Sequence, residues 1–215
     1  MKITKILAMA FIGILCACSE DESFNPEEVC PASGRGTFTD ERDGQTYRYI
    51  TIGNKIWMDQ NLNYATETSL CYDELQSNCD IYGRLYSIFY MNTFEEGYLH
   101  FNEAVIDSLC PKGWKIPTIE DWKKIVKEMD GTNNFKSGLC MDVSLYSGEA
   151  GFVNDLRTGG IEHYSFRELG RFRQWITESI HEKGGMSAFN IDVTGIKDNS
   201  RNFTGFSSLR CIKVQ

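Results

Sequence analysis

The first eighteen residues, MKITKILAMAFIGILCAC, decide what the eight cysteines of this chain can do. Lys2 and Lys5 give a positive start, and Ile6 to Leu15 form an apolar run of ten residues. A helix needs about 20 apolar residues to cross a bilayer, so a run of this length is the apolar core of an export signal. Export delivers the chain to an oxidising compartment, where cysteines pair by default. A disulfide framework dictates which distant segments must meet, and so restricts the fold more tightly than any local pattern.

The apolar run closes on Leu15-Cys16-Ala17-Cys18, which resembles the bacterial lipobox. In such signals the thiol of the final cysteine receives diacylglycerol and the peptide is cut just before it. Residues 1–17 are then a lipoprotein signal peptide and Cys18 the lipidation site; the alternative is an ordinary secretory signal with incidental cysteines. Each buried acyl methylene contributes ~0.8 kcal/mol, so two or three chains would hold the protein on the membrane permanently. Ser19-Glu20-Asp21-Glu22-Ser23 and Asn25-Pro26-Glu27-Glu28 follow, with no basic residue until Arg35. Residues 18–34 are therefore expected to form an acidic, solvated tether. An acidic run behind a lipidated cysteine also resembles the signal that sends some lipoproteins to the outside of the outer membrane. The expected location is the outer membrane, lipid-anchored and facing the exterior. Cleavage removes two lysines and no acid, taking the formal net charge from -8 to -10. Such a body has no basic surface for nucleic acid or anionic lipid, so membrane contact falls to the N-terminal lipid.

Six cysteines remain in the exported body: Cys30, Cys71, Cys79, Cys110, Cys140 and Cys211. Six allow 15 pairings, among which composition cannot choose. Zinc is the rival use, but no C-x2-C or H-x3-H spacing occurs and His100, His163 and His181 are scattered. Nor is there a redox C-x-x-C. No metal and no cofactor is expected.

The body, residues 35–215, opens on strands. Thr37 to Thr39 runs into Asp43-Gly44, a hairpin signal, and Gln45 to Ile52 alternates rings with polar residues. Gly53-Asn54 turns the chain again into Lys55 to Met58. Residues 71–86 are polar and turn-forming, and a loop closed by Cys71 and Cys79 would pin them. Glu103 to Leu109 reads as a short helix stopped by Pro111 and Gly113. Thr118 begins a second one, with Asp121 completing a capping box and Trp122, Ile125, Val126 and Met129 forming one apolar stripe. Gly131 ends it. Further strands are expected at 173–177, 188–193 and 207–214. Short strands, two short helices and long disulfide-braced loops describe an α+β domain.

Four strings then carry a family resemblance: GTFTDERDGQTYRYITIGNKIWMDQNLNY (36–64), CYDELQSNCDIYGRLY (71–86), CPKGWKIPTIEDW (110–122) and GFSSLRCIKVQ (205–215). Together they resemble the Fibrobacter succinogenes major paralogous domain family. Its members carry a GT-x-TD opening with DG-x-x-Y, an IG-x-x-WM-x-x-NL strand, C-x7-C-x2-YGRLY, CPKGW-x-LP-x-x-x-EW and a closing GFSVRC. Departures are Ile116 for Leu, Asp121 for Glu, a longer stretch over 87–109, and Gln174 to Glu178 in place of a WWSST run. The resemblance implies a C-type-lectin-like scaffold, shared with formylglycine-generating enzymes. It also implies the pairs Cys110–Cys211 and Cys71–Cys79, leaving Cys30 with Cys140. A bridge closing about 100 residues is worth ~4.7 kcal/mol in the chain-entropy model.

The function expected is a non-catalytic binding or adhesion domain for an extracellular glycan or protein. The alternatives are a structural or accessory subunit of a surface assembly, or an enzyme related to formylglycine-generating enzymes. No HExxH, GxSxG, P-loop or GxGxxG string supports catalysis. Tyr164, Arg167 and Trp175 are the candidate ligand-binding residues, because rings in the irregular half could stack on sugars. Each ring competes with burial in the core.

Overall fold

A computed structural model describes residues 24–87, 92–95, 98–101, 103–142, 149–154, 161–167, 173–180, 186–192, 195–199 and 205–214. The chain begins with a helical turn, α1 (Pro26–Val29), and a 3-10 turn at Ala32–Gly34. Strands β1 (Arg35–Thr39), β2 (Thr46–Ile52) and β3 (Lys55–Met58) form the expected meander. Then come α2 (Gln76–Tyr82), β4 (Leu85–Ser87), the hairpin β5 (Asn92–Glu95) and β6 (Tyr98–Phe101), α3 (Glu103–Leu109), α4 (Ile119–Glu128) and α5 (Thr132–Ser137). The second half is β-rich: β7 (Glu149–Asn154), β8 (Ile161–Arg167), β9 (Arg173–Ile180), β10 (Met186–Asp192), β11 (Gly195–Asn199), β12 (Phe206–Ser208) and β13 (Ile212–Val214).

Two larger sheets result. The first is antiparallel, in the order β1-β2-β3-β13. The second runs β11-β10-β9-β12-β7-β8, with β4 also on β12, and is antiparallel except where β12 meets β9. Side chains alternate across a strand, so Ile50, Ile52 and Trp57 face one side of the first sheet while Tyr47 and Met58 face the other. Both sides are covered. The Ile50 side packs with α4 and the inner face of β9 and β10; the Tyr47 side packs with Leu62, Tyr86, Ile106, Leu109 and Ile176.

The strand expected over 207–214 is two strands in different sheets. Leu209, Arg210 and Cys211 separate β12 from β13 and cross between the sheets, giving backbone carbonyls to Leu62 and Met58 on the way. This crossing carries Arg210 into the centre of the protein, where it is fully buried.

Helix α4 forms as its cap requires. Thr118 Oγ1 accepts from the Asp121 amide at 3.2 Å and Asp121 Oδ2 accepts from the Thr118 amide at 3.0 Å. Burial would raise the Asp121 pKa, but hydrogen bonds from Lys55 and Thr118 outweigh it and hold the carboxyl below its ordinary value. The two-helix expectation is corrected: α1, α2 and α5 are helical as well. Each is at most seven residues long, too short to show an apolar period, and tertiary anchors hold it. Phe135 of α5 packs edge-on against Trp122, and Cys79 of α2 is bridged to Cys71.

The tether expected over 18–34 is shorter than its composition implies. Phe24 and Val29 pack against the core, Asn25 caps α1, and Cys30 is bridged to Cys140 after α5. Charge alone does not keep a segment solvated when a disulfide fastens it. The other bridges are Cys71–Cys79 and Cys110–Cys211, the two pairs that the family resemblance implies, and Cys30–Cys140 is the pair they leave. Residues 1–17 and Cys18 lie outside the described residues.

Candidate functional site

Trp175 does not offer its ring to a ligand: it is 0% exposed. Its indole stacks on Trp122 with centroids 4.8 Å apart, and Trp122 stacks in turn on Phe189 at 5.1 Å. Trp175 pairs with Phe189 across β9 and β10, so the strand register directs both rings under α4. The side chains of Tyr164 and Arg167, on β8, lie outside the described residues.

The polar groups of the interior gather on the other side of Trp175. Asn61, itself buried, accepts at Oδ1 from Trp175 Nε1 at 3.0 Å and from Arg210 Nε at 2.9 Å, and donates from Nδ2 to the Tyr82 carbonyl at 2.8 Å. One amide thus joins β9, the β12–β13 crossing and the end of α2. Arg210 Nη2 reaches the Asp142 carbonyl at 2.5 Å, and the guanidinium lies 5.4 Å from the Trp175 ring centre. Beside it, buried Asp59 pairs with Arg35 at 3.3 Å and Arg48 at 3.8 Å and accepts the Asp142 amide at 2.6 Å. A buried charge is tolerable when its partners replace water: Asp59 has two ion pairs and a backbone amide, and Arg210 has the Asn61 amide oxygen, the Asp142 carbonyl and the Trp175 ring.

Arg48, Asn61 and Asp142 of this network line the first of two adjoining surface pockets, the two lobes of a cleft. One lobe, of about 260 Å³, is lined by Arg48, Gln60, Asn61, Gly83 and Asp142 together with Gln45, Asn63 and Asp80. A second, of about 310 Å³, shares those last three and adds Asp43, Tyr64, Gln76 and Arg84. Its walls are the β1–β2 turn, the segment after β3, and α2. Gly83 is essential to this closeness. It has a φ of +76°, and a Cβ there would lie 2.8 Å from both Asn61 Cβ and the Leu62 carbonyl oxygen. The Cys71–Cys79 bridge fastens α2 to the preceding turn, and Cys79 itself borders the cleft.

The wall side chains brace one another. Gln45 Nε2 donates to Asp43 Oδ2 at 2.5 Å and to the Asn63 carbonyl at 3.1 Å. Gln76 Nε2 donates to Asp80 Oδ1 at 3.0 Å, and Arg48 pairs with Asp142 at 3.3 Å. Tyr64 is held by Arg42, whose guanidinium sits 3.9 Å from the ring centre and is itself fixed by Asp40 and by the carbonyls closing α3. The cleft presents planar amides, carboxylates and guanidiniums, and among the described residues its lining holds no histidine, serine, threonine or free thiol. Among the described residues, no three His, Cys, Asp or Glu side chains gather to hold a metal ion.

The model of the Fibrobacter succinogenes major domain matches residues 50–213, about three quarters of the chain. The chain belongs to that family. Comparison with curated proteins and with solved structures gives no match. The strings that carry the likeness to the Fibrobacter succinogenes major domain converge on the network just described. Asn61 and Leu62 come from the first, Tyr82 and Gly83 from the second, and Arg210 and Cys211 from the last; Lys115, of the third, exchanges backbone hydrogen bonds with Ile212. Gln45, Gln60, Gln76 and Asp80 stand at positions those patterns leave open. Sequence reasoning missed them because it searched for rings. The available signal was amide and carboxylate density in Asp59-Gln60-Asn61-Leu62-Asn63 and Gln76-Ser77-Asn78-Cys79-Asp80.

Proposed function

We propose that this protein is an outer-membrane, surface-facing lipoprotein, anchored through Cys18, whose family domain is a non-catalytic binding or adhesion module that takes its ligand in the polar cleft. The observation that carries this reading is the cleft itself: polar wall side chains, mutually braced, beside a network built from the family strings. The scaffold fits a C-type-lectin-like arrangement, in which a bridge such as Cys110–Cys211 ties the helical region to the closing strand. The acidic run behind Cys18 supports export to the cell surface.

The test pairs two substitutions in cells. Cys18→Ala should move the protein from the membrane to the soluble fraction. Asp80→Ala in the anchored protein should leave its amount and protease accessibility unchanged while abolishing cell adhesion to immobilised extracellular glycans or proteins. Adhesion that survives Asp80→Ala and Gln45→Ala together would remove the cleft from the function.

A further inference from the structure

We infer that the ligand of the cleft is a neutral, hydroxyl-rich oligosaccharide of at least two sugar units, with Gln45, Asn63 and Asp80 at the boundary between them. This rests on the reading of the cleft as the ligand face. The two lobes share those three residues, so a ligand filling both must pass over them. Sites for organic ligands commonly measure ~300–1,000 Å³ and are mostly apolar. One lobe, of about 310 Å³, reaches that size and the other, of about 260 Å³, falls just short of it, but their lining is built from amides, carboxylates and guanidiniums, which apolar ligands would strand without partners.

Charge narrows the class further. Three carboxylates, Asp43, Asp80 and Asp142, face two guanidiniums, Arg48 and Arg84, and Arg48 is already paired with Asp142. With that pair set aside, Asp43 and Asp80 stand against Arg84, an excess of one negative charge that repels an anionic ligand. One excess charge at an open, salt-screened surface gives a cation little, so recognition falls mainly to hydrogen bonds. After the internal bonds are counted, Gln45 keeps its Oε1 and Asp80 its Oδ2 as acceptors, while Gln76 keeps one N–H as a donor. Hydroxyls both donate and accept, and so can meet this interleaved set. A peptide would also bring side chains, for which the lining offers little beyond Ile81, Ala65 and Tyr64. The wall groups are held in place before any ligand arrives, which lowers the ordering cost of binding them.

The full chain, exported and solubilised in detergent, is titrated with neutral gluco-, manno-, galacto- and xylo-oligosaccharides of one to four units, and with sialylated, uronic-acid and sulfated counterparts. At least one neutral oligosaccharide should bind, with its monosaccharide about tenfold or more weaker. Its affinity should not change between about 50 and about 500 mM NaCl. Gln45→Ala and Asp80→Ala should each weaken it about tenfold or more, with little change in thermal midpoint. Failure of every neutral oligosaccharide to bind overturns the inference. Salt-sensitive binding of an acidic glycan, or binding of a protein alone, that is lost in the two variants also overturns it but leaves the cleft as the ligand face. Neutral-glycan binding that ignores both variants overturns the cleft reading as well.

Discussion

Truncating Asn61 to alanine should destabilise the protein by about 3–5 kcal/mol, although the residue belongs to no hydrophobic cluster. Three groups lose their partner: the Trp175 indole N–H, the Arg210 Nε and the Tyr82 carbonyl, now bonded at 3.0, 2.9 and 2.8 Å. A buried neutral group left unmet costs ~1–3 kcal/mol, and a hydrogen bond to a charged group is worth ~1.5–3 kcal/mol. Water entering from the cleft can meet the Tyr82 carbonyl, because Asn61 borders the cleft, so that part of the cost is discounted. Trp175 and Arg210 are both 0% exposed, and their two donors carry the remainder. For a domain of this size, ~2–4 °C per kcal/mol gives a fall in thermal midpoint of about 6–20 °C. Urea and thermal unfolding should be measured beside Gln60→Ala, whose side chain accepts one surface bond from the Arg48 amide and should cost under about 1 kcal/mol. Trp175→Phe in both backgrounds closes a double-mutant cycle, in which the indole bond should show as coupling of about 1 kcal/mol or more. If Asn61→Ala unfolds within about 1 kcal/mol of the parent and the cycle is flat, the amide is not the joint described here.

Gly83→Ala should cost about 2–4 kcal/mol, read by urea unfolding, and should weaken ligand binding too, because the added carbon has no room against Asn61 and Leu62. Opening the Cys30–Cys140 bridge by paired serine substitutions should remove up to ~4.7 kcal/mol and admit protease cleavage near residue 34, which a digestion time course would show. Asp40 and Asp121 are both held below their ordinary pKa. For Asp40 burial opposes the shift, but hydrogen bonds from Arg42 outweigh it. Their stabilisation is therefore complete above pH 3.8 and is lost as pH falls through the folded values; Asp121→Asn should flatten that acid limb of the thermal midpoint. Burial raises Tyr47 from 10.0 to about 12, so stability present below pH 10.0 should decline towards about 12, and Tyr47→Phe should remove that decline.

The clearest successes of sequence reasoning were local. The capping box at Thr118 and Asp121, the apolar stripe behind it and the hairpin at Asp43-Gly44 are short-range patterns, and each forms where its residues place it. The family strings supplied two of the disulfide pairs, which local patterns could not, and left Cys30 and Cys140 as the third by elimination. What stayed hidden was long-range. Asn61 is an ordinary asparagine until β9 and the β12–β13 crossing bring Trp175 and Arg210 to it from more than a hundred residues away. Trp175 was misjudged because β9 is covered on both faces, with Gln174, Trp175, Ile176 and Thr177 all buried, and that cover comes from segments distant in sequence. The cleft escaped for the same reason: its walls come from three separated segments, none of which carries a catalytic or ligand-binding motif on its own.

The placement of β13 has a consequence for biogenesis. The first sheet needs β13 beside β3, some 150 residues earlier, and Cys110 needs Cys211. Until residues 211–214 have been made, β3 presents an open edge and Trp57 lacks its neighbour Ile212. Pairing over such separations makes folding slow, because loop closure must precede the contacts that reward it. A nascent chain that cannot complete its framework early stays threadable, which suits the export proposed above. If the chain is exported in that way, the same delay leaves two thiols and a strand edge unguarded as it emerges, and its yield should depend on disulfide-forming catalysts and chaperones in the receiving compartment.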